Sequence, residues 1–221
     1  MTPPTPPMTR ASGLPAALAD SAAGVLRPVD GTKVYVQPQA EFLRLEERGL
    51  LHRVATGYYV TVPPALREAD WMPTLEAAAF GVAAADYGAD HAVLMGLSAA
   101  RMHAAIPRAL GVAVVAIPKQ RRVLNLADRP AQVRFVRRDV ARLDAERLPT
   151  DLGTALVTGV EQTLLDLAHR PDIGGIEAEA WAAVAALWPR ADPDVLEQIA
   201  GDQRLRAALK RARQCVTDAR A

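Results

Sequence analysis

The pattern of apolar and polar positions divides the first third of the chain into short predicted elements. Ala-rich apolar runs favour helix, apolar residues at i, i+3 and i+4 mark one helix face, and β-branched alternation favours strand. These rules predict a helix over 14–26, a strand over 33–36, a helix over 38–48, and hairpin strands over 50–55 and 58–62. The order is therefore helix, short strand, helix and hairpin.

The junction between the second helix and the hairpin is the most informative stretch, RLEERGLLHRVATGYYV at 44–60. Gly49 stands where a left-handed C-cap is expected, and Gly57 suits the second position of a two-residue hairpin turn. Tyr58 and Tyr59 point to opposite faces of the second hairpin strand. We therefore expect one tyrosine to pack on the core and the other to be free.

The remaining two thirds of the chain predict a mixed α/β region followed by helices. A continuous β-branched run is typical of a buried strand, and amphipathic runs that end at proline are typical of helices. The predicted strands are 91–95, 111–118, 131–140 and 155–158, and the predicted helices are 73–87, 97–105 and 161–171, with three more centred near 183, 197 and 209.

This order of elements predicts an α+β protein. We expect a Pro/Thr-rich flexible tail at 1–13, an N-terminal winged helix-turn-helix at 14–63, and a mixed α/β domain with a helical C-terminal tail at 64–221. The boundary is placed at the Pro63-Pro64 pair, because adjacent prolines interrupt both helices and central strands.

Amino-acid composition and net charge limit how the protein could bind nucleic acid or a metal. The 221 residues are 50% hydrophobic and only 5% aromatic, with a formal net charge of +1. Binding to nucleic acid must therefore come from local basic patches rather than from the overall charge. The single cysteine, Cys215, permits neither an internal disulfide nor a cysteine-based metal site, which suits a cytoplasmic protein.

The sequence also predicts that the chain is not membrane-bound. Its N-terminus has no apolar stretch of the secretory type, and the apolar run at 75–97 is interrupted by charged residues. We find no motif for a cofactor, a metal or a catalytic nucleophile, and we expect a protein that is not an enzyme.

The helix-strand-helix-hairpin order is that of a winged helix, in which a helix enters the major groove of DNA and the hairpin follows the phosphate backbone. Glutamine and arginine at the start of such a helix are suited to reading adenine and guanine edges, and basic or hydroxyl side chains hold phosphates. The candidate DNA-binding residues are Lys33, Gln37, Gln39, Arg44, Arg48, His52, Arg53, Thr56 and Tyr58.

The alternative is a winged helix used only for packing or dimerisation. Glu41, Glu46 and Glu47 lie on the same predicted helix and would repel phosphate if they faced it. The orientation of these carboxylates therefore decides between the two interpretations.

A second basic cluster follows the buried strand at 111–118. Arg134 alternates with Val133 and Phe135, so we expect it on the open face of a strand. The cluster fits a nucleic-acid surface, a face for an acidic partner, or a charged sheet edge that prevents edge pairing. Its candidate residues are Lys119, Arg121, Arg122, Arg134, Arg137 and Arg138.

Asp166 and His169 are three residues apart and share a helix face. A catalytic role would need a nucleophile or metal ligands nearby, and none is identifiable, so we expect structural roles. A rival hypothesis is a metal-dependent nuclease built around Asp151, Glu161 and Asp166.

The chain resembles the AbiEi-type antitoxins of bacterial type IV toxin–antitoxin systems. The resemblance rests on RLEERGLLHRVATGYYV, GLSAARMHAAIP, VAVVAIPKQRR, RFVRR and VEQTLLDLAHRPDIGG in that order, and it covers about 14–175. It implies that the winged helix binds inverted repeats in its own promoter, through Lys33, Arg44, Arg48 and Arg53, and represses the operon.

The resemblance further implies that the second domain counteracts a co-transcribed nucleotidyltransferase-like toxin, with or without direct contact. Inverted repeats suit two copies of the chain on the DNA. The alternative is a winged-helix transcriptional regulator outside any toxin–antitoxin pair, whose C-terminal domain senses a ligand or a partner.

Overall fold

The computed structural model describes residues 14, 15, 18 and 24–218 and shows a mixed α+β protein with a small and a large β-sheet. The helices are α1 Pro38–Glu47, α2 Leu75–Tyr87, α3 Gly96–Met102, α4 Val160–His169, α5 Glu177–Leu187, α6 Pro193–Asp202 and α7 Arg206–Asp218. The strands are β1 Val25–Leu26, β2 Leu51–Ala55, β3 Tyr58–Thr61, β4 Val93–Leu94, β5 Val112–Ile117, β6 Leu124–Asn125, β7 Gln132–Arg137, β8 Ala145–Thr150 and β9 Gly153–Thr158.

The small sheet is antiparallel in the order β1-β3-β2 and carries α1 on one face. Phe42 and Leu45 of α1 are buried, and the ring of Phe42 meets that of Tyr59 edge-on at 5.3 Å between centroids. Gly49 ends α1 with a positive φ of 65°, and Gly57 makes the hairpin turn with a φ of 81°. Both glycines therefore fill the roles predicted for them, since L side chains rarely adopt these conformations.

Two N-terminal predictions were wrong. Val25–Leu26 form β1, whereas a helix was predicted there, because β3 offers them an antiparallel partner. Residues 33–36 are not a strand. A 3-10 helix, Pro28–Lys33, occupies the preceding residues, and its Gly31 lies so close to Phe42 that an added Cβ would approach the ring to 2.9 Å. The predicted tail at 1–13 and most of the first predicted helix lie outside the described residues.

The large sheet has the order β6-β7-β5-β4-β9-β8. The pairs β5–β7 and β4–β9 are parallel, and the other neighbours are antiparallel. The predicted central strands and the helices after residue 160 are confirmed. Strands β6 and β8 were not predicted. In β8, Pro149 and the charged residues argue against a strand.

The hydrophobic core continues from the small sheet into the large one. Val54 and Val60 of the hairpin are buried in the same cluster as α2 and the inner residues of β5, β7 and β9. The backbone N–H of Ala127 also donates to the carbonyl of Val54, at 2.8 Å. Separating the chain at the predicted domain boundary between residues 63 and 64 would therefore expose a hydrophobic core that the two parts share.

The helices after β9 form a second hydrophobic cluster. Leu164 and Leu165 of α4 are fully buried among α3, α5, α6 and α7. In the described part of the chain, no helix has both the length and the apolar character that a bilayer crossing requires.

Candidate nucleic-acid interface

The surface of α1 and the hairpin presents most of the predicted DNA-binding side chains to solvent. Two glutamines at the start of α1 are exposed, one of them at the N-cap position, and basic and hydroxyl groups surround them. The exposed members of the predicted set are Lys33, Gln37, Gln39, Arg44, Arg48, Arg53 and Thr56.

The glutamates of α1 lie beside these cations. Arg44 forms an ion pair with Glu41 one turn earlier, and Arg53 Nε lies 3.2 Å from a carboxylate oxygen of Glu46. Glu47 is exposed. A phosphate that approached this surface would have to displace carboxylates from both arginines, so the local charge is lower than the arginines alone suggest.

Tyr58 is not free, contrary to expectation. Its hydroxyl donates to Asp86 at 2.8 Å, and Arg121 donates to the same carboxylate oxygen at 2.5 Å. Arg27 reaches the other oxygen of Asp86 at 3.0 Å. Burial and the hydrogen bond to Asp86 raise the pKa of the Tyr58 hydroxyl. These contacts hold the hairpin tip against the end of α2. The Tyr58 hydroxyl is therefore engaged in an internal hydrogen bond and is not free to contact DNA.

Two aromatic rings lie close to the guanidinium of Arg121. Its guanidinium carbon lies 4.4 Å from the ring centroid of Phe135 and 5.5 Å from that of Tyr58. Cations over aromatic faces are attracted by the ring quadrupole. This arginine therefore joins the hairpin to the large sheet and is not an open surface cation.

The side chain of His52 is also engaged in an internal contact. Its Nε2 lies 2.9 Å from an oxygen of Asp128, which also accepts hydrogen bonds from Arg129. Burial alone would raise the pKa of Asp128, but the hydrogen bonds from His52 and Arg129 outweigh it and lower the pKa from 3.8 to about 2. A second contact thus joins the hairpin to the segment between β6 and β7.

Replacing Asp128 by asparagine is expected to lower the free energy of unfolding by about 1–2 kcal/mol at pH 7. A carboxyl whose pKa is depressed in the folded state contributes stability above about pH 4, and this contribution is lost as the pH falls from 4 to 2. Urea unfolding of parent and variant between pH 7 and pH 2 measures the effect. A stability difference that did not shrink over this acid range would contradict it.

The second basic cluster does not form one surface. Lys119, Arg122 and Arg137 are exposed. The predicted open face around Arg134 is instead covered, because Arg134 donates to the carbonyl of Ile173 at 3.1 Å. Arg138 is bound to Asp166 at 3.0 Å. Together with Arg121, half of the predicted cluster is therefore engaged in internal contacts.

The carboxylates of the rival nuclease hypothesis have separate partners. Asp151 accepts from the N–H and hydroxyl of Thr74, both at 2.7 Å, at the start of α2. Glu161 accepts from the N–H of Asp192 at 2.8 Å. Within the described residues, no group of three or more His, Cys, Asp or Glu side chains is placed to hold a metal ion.

Sequence reasoning missed Asp86 and Asp128, the two carboxylates that fasten the hairpin. Asp86 lies 28 residues from Tyr58, and Asp128 lies 76 residues from His52. No spacing rule along a helix or strand connects residues so far apart in sequence. Only the tertiary packing of the small sheet brings them together.

Comparison with known proteins supports the fold. No family model matches the chain, and no curated protein matches it. Among solved structures, it is similar to the crystal structure of the RV2827C protein from Mycobacterium tuberculosis, with a TM-score of 0.55 and 21% identity over 90% of this chain and 78% of that chain. A likeness at this level of identity shows the fold alone.

Proposed function

We propose that this protein is a DNA-binding antitoxin that represses its own operon and counteracts a nucleotidyltransferase-like toxin. In this proposal, residues 14–63 form a winged helix that binds inverted repeats in double-stranded DNA. The observation that carries the DNA-binding part is the arrangement of α1, Gly49 and the hairpin, with Gln37 and Gln39 exposed at the helix start. An exposed N-terminal turn is the part of a recognition helix that contacts base edges.

The antitoxin part of the proposal rests on the order of sequence motifs. The motifs that resemble AbiEi-type antitoxins run from the hairpin through α3, β5 and β7 to α4. They therefore span both sheets and the first helix of the C-terminal cluster. The proposal includes no catalytic group, metal or cofactor.

Replacing Arg44 and Arg53 by glutamine is expected to weaken promoter binding about 10-fold or more near physiological salt. Each lost phosphate contact should also reduce the slope of log K against log salt by about 1. Mobility-shift titrations at two salt concentrations measure both quantities. Arg213→Gln is the matched control, because Arg213 is an exposed arginine paired with Glu197 on the distant C-terminal helices.

Variants of the neighbouring glutamates test the same surface in the opposite direction. Glu41→Gln and Glu46→Gln release Arg44 and Arg53 from their ion pairs, so these variants should bind promoter DNA more tightly and with a steeper salt dependence. If both the arginine and the glutamate variants bind as the parent does, α1 and the hairpin do not contact DNA.

The full chain, expressed from an unrelated promoter, is expected to restore growth to cells that express the adjacent nucleotidyltransferase-like toxin. The unrelated promoter separates neutralisation from repression. The Arg44→Gln/Arg53→Gln variant serves as the control, since it should lose repression but keep neutralisation. Plating efficiency measures the rescue, and unrelieved toxicity with normal amounts of folded protein would refute the antitoxin role.

A further inference from the structure

A polar cleft of about 570 Å³ opens on the C-terminal part of the protein. It lies between the end of β7, the short 3-10 helix Val140–Arg142, the end of α4 and the turn that joins α6 to α7. Ligand pockets for small molecules typically measure 300–1,000 Å³. None of the exposed side chains of α1 and the hairpin lines it. The groups that matter chemically are Arg138, Asp139, Arg142, His169, Asp202 and Arg204.

Arg138 is a fixed cation in the wall of this cleft. Its guanidinium donates to Asp166 at 3.0 Å and to the side chain of Gln203 at 3.2 Å. Gln162 also contacts Asp166 and Gln203, so the support forms a network. The side chain of Asp166 is only 1% exposed, and a carboxylate buried to this degree is unfavourable without a partner. The network therefore fixes the orientation of an arginine that still lines the cleft.

Arg204 contributes a second cation, held in an unusual backbone conformation. Its φ is 58°, in the left-handed region that side chains other than glycine rarely adopt. Within residues 24–218, no hydrogen bond or ion pair engages its guanidinium. The backbone N–H groups of Arg204 and Leu205 donate to the carbonyls of Gly201 and Ala200, a C-terminal cap that requires a left-handed residue at this position and sets the arginine at the mouth of the cleft.

Arg142 and His169 are further basic groups of this cleft. Arg142 donates to the backbone carbonyl of Asp202 at 3.1 Å, which keeps its guanidinium at the α6–α7 turn. Burial, and then the charges of Arg211, Arg138 and Arg170, lower the pKa of His169. A neutral imidazole in this position retains one donor and one acceptor.

Two carboxylates line the same cleft as the arginines. Asp139 and Asp202 are exposed, and neither side chain is hydrogen-bonded to another residue in the described region. They would repel a simple polyanion. They are suited to accept hydrogen bonds from hydroxyl or amino groups of a ligand whose anionic end lies on the arginines.

We propose that this cleft binds a nucleoside monophosphate. The phosphate would lie on Arg138, Arg142 and Arg204, and the ribose hydroxyls or base amino groups would donate to Asp139 and Asp202. Arginine is the side chain best suited to a planar, two-pronged contact with phosphate. The proposal is independent of DNA binding by α1 and the hairpin, and either can fail without the other.

Thermal unfolding with AMP, GMP, CMP and UMP tests the proposal. We expect at least one nucleotide to raise the unfolding midpoint by about 5 °C at 100 times its dissociation constant. Adenosine, guanosine, cytidine and uridine should give no rise, and inorganic phosphate at equal concentration should give a much smaller one. No rise with any of the four nucleotides, or an equal rise with phosphate alone, would overturn the nucleotide assignment.

Arg204→Gly separates ligand binding from folding. Glycine favours the left-handed backbone, so this variant should fold at least as well as the parent while losing the ligand-dependent rise. Arg204→Gln should also lose the rise, whereas Arg213→Gln should keep it. A rise that persists in both Arg204 variants would place the ligand elsewhere and refute this site.

Discussion

Arg138→Met is expected to lower the free energy of unfolding by about 3–5 kcal/mol at pH 7. Among the residues that the structure describes, the substitution removes the only cation paired with Asp166, whose side chain is 1% exposed. Asp166 would then keep an unpaired charge in the interior, or take up a proton. Its second oxygen already has no hydrogen-bond partner among the described residues. Urea unfolding monitored by circular dichroism measures the loss.

The loss of stability in the Arg138→Met variant depends on pH. Burial raises the pKa of Asp166 in the folded protein, although Arg138 and Gln162 act against the shift. A carboxyl whose pKa is raised in the folded state favours folding most at low pH, and that contribution is lost as the pH rises through its folded pKa. Removing Arg138 raises this pKa further, so the variant should approach the stability of the parent on acidification.

A double variant measures the contribution of the Arg138–Asp166 ion pair itself. Arg138→Met with Asp166→Leu removes both charges and should recover much of the stability, because apolar residues often replace buried ion pairs without net cost. Arg147→Met is the matched control for an exposed arginine, since its ion pair with Asp90 is open to solvent, and its loss should stay under about 1 kcal/mol. Equal losses for Arg138→Met and Arg147→Met would contradict the argument.

Asp86→Ala is expected to lower the free energy of unfolding by about 2–4 kcal/mol. The carboxylate accepts from Arg27, Tyr58 and Arg121, and its side chain is 19% exposed. Its removal leaves the Arg121 guanidinium and the Tyr58 hydroxyl without this acceptor at the junction of the two sheets, whereas Arg27 keeps its ion pair with Asp30. Chemical denaturation gives the magnitude. Asp90→Ala is the control, because the Asp90 side chain is 76% exposed.

Hydrogen exchange should show where the Asp86→Ala variant loosens. The amides of β2 and β3 are expected to lose protection more than those of β5 and β7, because Tyr58 and Arg27 lie at the ends of the small sheet. Uniform loss of protection would instead show that both sheets open in one cooperative step. Uniform retention would show that Asp86 contributes nothing to the junction.

The elements with strong periodicity were predictable from sequence. The β-branched run of β5 and the amphipathic face of α4 follow from local pattern alone. Residues 33–36 alternate like a strand, yet they pair with no strand in the described part of the chain, because the preceding 3-10 helix packs against Phe42. Alternation indicates a strand only where the tertiary fold supplies a neighbour.

The candidate surface was less predictable than the elements. Exposure of Gln39 and Arg44 follows from the helical period, since Phe42 and Leu45 fix the buried face. The engagement of Arg121 and Arg134 does not, because the groups that cover them come from Phe135 and Ile173 in other parts of the fold. Local pattern shows which face of an element a side chain occupies, and the fold decides whether that face is open.

The pairing of β4 has a consequence for the protein during synthesis. Leu94 of this two-residue strand pairs with Val157, so one edge of β4 has no partner until β9 has emerged from the ribosome. The apolar strand β5 is made more than 35 residues earlier and joins the same sheet. Long-range pairing of this kind slows folding, and incompletely folded chains expose surface that aggregates. A pause in translation before β9 has emerged should therefore lower the yield of folded protein, whereas a pause at the last residues of the chain should affect it less.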